Sequence, residues 1–101
     1  MANLLIETEG VLKNNEKSFD DVKWIGTLNG GTISVADFKK AANKEYDSGF
    51  GIEEVCLGLL VVGDNWWLER HEYDGSEWWE FKTIPSKPEG ELKWSEIWYK
   101  F

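Results

Sequence analysis

The chain has 101 residues, 42% of them hydrophobic, and a formal charge of −8 from 19 acidic and 11 basic side chains. That length supports a single domain, residues 1–101, with one core, and the apolar content is too high for a disordered chain. The acidic balance repels phosphate backbones and anionic lipid, so direct binding to nucleic acid or to a membrane surface is not expected.

In chain order, Ala2–Thr8 holds the run Leu4-Leu5-Ile6, which reads as a first strand or a single helical turn. Gly10–Ser18, with Asn14-Asn15, reads as a loop. Asp21–Leu28 alternates, with Val22, Trp24, Gly26 and Leu28 on one face and Lys23, Ile25 and Thr27 on the other, and predicts a strand. Asn29-Gly30-Gly31 is a turn, and Thr32–Ser34 begins the return strand. Ser34-Val35-Ala36-Asp37 resembles a capping box with Asp in place of Glu. Val35, Phe38, Ala42 and Tyr46 then recur at helical spacing, and Gly49 suits the position after the last turn. This predicts a helix over about 34–47, with Lys39, Lys40 and Lys44 on its solvated face. Gly49-Phe50-Gly51 is a loop. Within the apolar run Ile52–Val62, β-branched Val55, Val61 and Val62 favour a strand starting near Val55, followed by a Gly63-Asp64-Asn65 turn. Pro85–Gly90 is a loop, and the alternation of Glu91–Phe101 predicts a last strand. The expected fold is α+β: a mostly antiparallel twisted sheet of four to five strands with one amphipathic helix packed on one face.

The stretch Trp66–Ile84 is the most informative. Trp66-Trp67 and Trp78-Trp79 flank Asp74-Gly75, a strong hairpin signal, with arms at about 65–72 and 77–84. Neighbouring strand residues point to opposite faces, so each Trp pair places one indole on each face and both faces need cover. A two-residue loop would set Glu69 against Glu80 and Glu72 against Glu77, and like charges directly opposite are unfavourable. A three-residue loop through Ser76 would instead pair Arg70 with Glu80 and His71 with Trp79. That register is preferred. It predicts a core face of Trp67, His71, Tyr73, Trp79 and Phe81, and a second face of Trp66, Leu68, Trp78 and Ile84 around an Arg70–Glu80 pair.

Little here points to catalysis. Glu69, His71, Glu72 and Asp74 cluster at a hairpin tip, which offers little of the burial that tunes catalytic groups. One His and one Cys cannot build a usual zinc site, no stretch has EF-hand spacing, and no cofactor motif is present. Asn29-Gly30-Gly31-Thr32 lacks the Lys-Ser/Thr that a phosphate-binding loop requires. Cys56 excludes an intrachain disulfide and is expected to be a buried small hydrophobe, consistent with a reducing compartment. The segment MANLLIETEG has no basic leader or long apolar stretch, and a cytoplasmic location is expected.

Three non-enzymatic readings remain. Carboxylates interleaved with aromatics on a small domain can imitate a phosphate backbone and occupy a basic protein surface, such as the groove of a nucleic-acid-handling enzyme. Glu69, Glu72, Tyr73, Asp74, Glu77, Trp78 and Glu80 are the partner-binding candidates. In size, acidity and lack of a catalytic motif, the chain resembles small proteins of phages and mobile elements, the class that includes the anti-CRISPR inhibitors. That resemblance is compositional; it implies an inhibitor and carries no family residues across. The alternatives are an aromatic-faced β module for a carbohydrate or other flat ligand, and a homodimer built through the aromatic sheet.

Overall fold

The computed structural model describes residues 2–49 and 52–99. Chain order runs β1 (Ala2–Asn3), α1 (Leu4–Asn14), β2 (Trp24–Thr27), β3 (Gly31–Ile33), α2 (Val35–Ala42), β4 (Glu45–Tyr46), β5 (Leu60–Val62), β6 (Trp66–Tyr73) and β7 (Ser76–Thr83). Single 3-10 turns occur at Phe19–Asp21 and Trp94–Ile97. The fold is α+β. A five-stranded antiparallel sheet has the order β3-β2-β5-β6-β7, and β1 pairs with β4 in a separate two-stranded sheet.

Residues 10–14, expected as loop, belong to α1. Asn3 caps it by accepting from the Ile6 N–H at 3.1 Å. Leu4, Leu5, Thr8, Val11 and Leu12 then recur at i, i+4 and i+7 spacing and turn inward, with Thr8 and Leu12 fully buried. Gly10 is carried inside the helix because that stripe gains more from burial than one glycine costs in propensity.

α2 starts where expected, with Ser34 accepting from the Asp37 N–H at 3.1 Å. It stops at Ala42 and not near 47, because Glu45-Tyr46 turns to pair with Ala2-Asn3. Asn3 also donates to the Asn43 side chain at 3.1 Å, which holds that corner. The strand expected from Val55 begins only at Leu60. The expected last strand is absent over 91–99; that stretch is exposed and makes only the turn at 94–97. Cys56, expected buried, is exposed in the irregular segment before β5. The loop expected at Phe50-Gly51 and the end of the expected last strand, Lys100-Phe101, lie outside the described residues.

Both helices cover the same sheet face. The core there is Leu12, Phe38 and Ala42 from the helices with Ile25, Val61, Trp66, Leu68 and Trp79 from the strands. In β2 it is therefore Ile25, completely buried, that faces the core, and Trp24 is on the opposite face. The period of two was legible there; which of the two faces was covered was not.

A candidate protein-binding face

The hairpin register is set by a two-residue loop. Tyr73 pairs with Ser76, and Asp74 and Gly75 occupy left-handed backbone at φ of 51° and 86°. These are the angles of the turn whose twist matches the strands. Arg70 therefore pairs with Trp79 and not with Glu80, and both like-charged pairs form: Glu69 opposite Glu80, Glu72 opposite Glu77. The objection to this register was electrostatic, and each pair is relieved by other groups.

On the covered face, Arg70 and Glu77 are buried at 5% and 4% exposure. Arg70 donates through Nη2 to Glu77 at 2.8 Å and to the Tyr46 hydroxyl at 3.2 Å, and through Nη1 to Glu7 at 2.9 Å. Tyr46 in turn donates to Glu7. Glu77 also accepts the backbone N–H groups of Glu54 at 2.8 Å and Val55 at 3.2 Å. The guanidinium lies over the Trp79 ring, 4.9 Å from its centroid, and the Trp79 indole donates to Thr8 of α1 at 2.9 Å. One buried ionic cluster thus joins α1, β4, the 54–55 segment and the hairpin. Burial, followed by the hydrogen bond to Glu7, pushes the Tyr46 hydroxyl up to about 12. Burial opposes the Arg70 charge, but its bonds to Tyr46 and Glu77 outweigh that and hold it above the ordinary arginine value. Glu77 is thus separated from the other candidates, with its carboxylate engaged inside the chain.

Among the described residues, no helix lies on the opposite face. Trp67, Glu69, His71, Trp78, Glu80 and Lys82 share it, and the register adds Trp24, Leu60 and Val62 from the neighbouring strands. The Trp67 indole donates to Glu69 Oε1 at 2.7 Å, and the Trp78 indole to Glu80 Oε2 at 3.0 Å. His71 Nε2 lies 2.7 Å from Glu69 and 3.6 Å from Glu80, with its ring stacked on Trp78. Lys82 reaches Glu80 at 3.1 Å. Hydrogen bonds from Trp67 and then His71 hold the Glu69 carboxyl below the usual range, and those from Trp78 and then Lys82 do the same for Glu80. Two ionised carboxylates are therefore set side by side between aromatic rings, each locked by an indole N–H. About a third of each glutamate side chain remains open to solvent.

Of the sequence candidates, the structure brings Glu69, Trp78 and Glu80 together on this face. Tyr73, at 76% exposure, projects from the same face at the hairpin end. Asp74 is exposed in the turn, and Glu72 is exposed on the other side of the ribbon. Desolvation and the nearby Glu53 carboxylate raise the Glu72 carboxyl. Trp24, Trp67 and Lys82 belong to the face but were not among the candidates. The signal for Trp67 and Lys82 was the two-residue turn itself, since it puts them opposite each other. Beside Glu69, the β2–β3 turn and the segment before β5 enclose a depression of about 340 Å3 lined by Leu28, Leu57, Gly58 and Leu60.

Among the described residues, no group of three or more His, Cys, Asp or Glu is placed to hold a metal ion. No helix among them is long and apolar enough to cross a membrane. Compared with known protein families, curated proteins and solved structures, the chain matches none.

Proposed function

We propose that this chain is a small acidic protein-binding domain whose open sheet face occupies a basic surface of its partner. The observation that supports this most is the opposed Glu69–Glu80 pair, held by the Trp67 and Trp78 indoles and left accessible on a face no helix covers. Arginine or lysine from a partner can enter between the two carboxylates and lie against the flanking rings, which combines charge pairing with cation–π contact. The aromatic side chains supply the apolar contact that anchors interfaces, and the net charge of −8 speeds encounter with a positive surface. A groove that otherwise holds nucleic acid is the basic surface best matched to this chemistry. The domain then acts as an inhibitor by occupancy, as the anti-CRISPR proteins do, in the cytoplasm and without a cofactor. Glu69, Trp78 and Glu80 form the centre of the contact, with Tyr73 and Asp74 at its hairpin end.

One observation favours a second reading. Trp24, Trp67 and Trp78 lie on one sheet face, the kind of flat aromatic surface on which a sugar ring stacks.

Affinity capture from a cytoplasmic lysate, washed at low and at high salt, separates the two. The protein-binding reading expects a basic nucleic-acid-handling protein that is held at low salt, released at high salt and lost with the Glu69→Lys, Glu80→Lys double variant. Capture that ignores both salt and charge reversal refutes it. Quenching of tryptophan fluorescence by oligosaccharides, with no protein captured, favours the second reading.

A further inference from the structure

The residues after β7 carry a second apolar surface that the protein-binding reading does not use. Leu92, Trp94, Ile97, Trp98 and Tyr99 are all strongly exposed, from 63% for Ile97 to 90% for Tyr99. Among the described residues, no hydrogen bond joins 85–99 to the rest of the chain; the last such bond is Ile84 N–H to the Asn65 carbonyl at 3.0 Å. Pro85 and Pro88 fix their own φ and bias Ile84 and Lys87, the residues before them, to extended backbone, which stiffens the linker to this arm. The chain reaches 50 Å along its longest axis against 28 Å along its shortest.

We infer that the arm of one copy docks on the open sheet face of a second copy, seating a tryptophan in the depression lined by Leu28, Leu57 and Leu60, and that the exchange is reciprocal. Leu28 and Leu57 are 84% and 46% exposed, so the depression presents unfilled apolar wall, and it is large enough for an indole ring. Glu69 at its edge can accept an indole N–H. Area supports a dimer. At roughly 150–250 Å2 each, Trp94, Trp98 and Tyr99 from two arms bring on the order of 900–1,500 Å2, before the surface they cover is counted. Stable specific interfaces bury roughly 1,200–2,000 Å2 over both partners. A reciprocal exchange is closed by a two-fold axis and leaves no free arm, so it stops at two copies.

The test is the mass of the full chain by sedimentation equilibrium across a wide concentration range. The expected result is a shift from the 11.7 kDa monomer to twice that mass, persisting in high salt. Trp94→Ala with Trp98→Ala, and separately Leu57→Glu, should each return the monomer; all these sites are exposed, so folding is retained. An equimolar mixture of the arm variant and the Leu57→Glu variant should recover part of the dimer, because one intact arm meets one intact depression. A monomer at every concentration overturns the inference, as does a dimer indifferent to both kinds of variant. A dimer lost with the arm but kept by Leu57→Glu overturns the assigned seat. The inference does not rest on the proposed function: salt-sensitive capture of a basic protein can fail while the mass doubles, and the reverse.

Discussion

Glu77→Ala is expected to damage folding far more than its position on a small hairpin suggests. The side chain is 4% exposed and holds Arg70 at 2.8 Å, the Glu54 N–H at 2.8 Å and the Val55 N–H at 3.2 Å. Truncation leaves a buried guanidinium short of one of its two carboxylates and frees the 54–55 segment. Breaking a buried ion pair by removing one partner costs about 3–5 kcal/mol, most of it the uncompensated charge. A domain of this size has about 5–15 kcal/mol in total. The melting temperature should therefore fall by roughly 12–40 °C, on the basis of about 4–8 °C per kcal/mol. Urea unfolding followed by tryptophan fluorescence measures the loss directly, since Trp79 lies against Arg70. Arg70→Met added to Glu77→Ala should recover part of it, because the guanidinium is then no longer buried and Glu7, about a quarter open to solvent, is the one charge of the cluster that remains. A loss below about 1 kcal/mol for Glu77→Ala, the scale of a surface pair, would refute the buried-cluster account.

Adjacent tryptophans should behave oppositely: Trp79→Ala empties a core site and should cost about 3–5 kcal/mol of stability, whereas Trp78→Ala should mainly weaken partner capture. Equal losses of stability by chemical denaturation would contradict the face assignment. Gly10→Ala should stabilise by about 0.5–1 kcal/mol, since Gly10 is helical and an added Cβ meets nothing within 4 Å; a lower urea midpoint would argue against α1. Gly75→Val should lower thermal stability by about 1–2 kcal/mol, because a β-branched side chain is strained at a φ of 86°; an unchanged melting curve would exclude the turn. Tyr46 keeps its proton to about 12 in the folded chain against 10.0 in the unfolded one, so its contribution is full below pH 10.0 and disappears as pH rises through 12. Stability should fall over that window, and Tyr46→Phe should lessen the fall; an identical alkaline profile in the variant would show that Tyr46 does not titrate there.

The hairpin, the strand at 24–27, the start of α2 and the α+β class were legible in the sequence because their signals are local. Asp74-Gly75 supplies a turn, alternation supplies strands, and Ser34 supplies a cap. Other features were decided by contacts distant in sequence. The register turned on Glu77, whose charge is met by Arg70 within the hairpin and by backbone N–H groups of 54–55, which lie outside it and which no local pattern places there. α2 ended early because residues at the other end of the sequence took Tyr46 into a strand pair. α1 outlasted its glycine because its stripe found a core. What the sequence determined by itself was periodicity, turn chemistry and an acidic, aromatic surface. Which side of each strand became surface depends on where the helices pack, and no local pattern encodes it. That choice buried Glu77 and Trp79 and left Glu69, Trp78 and Glu80 partly open to solvent.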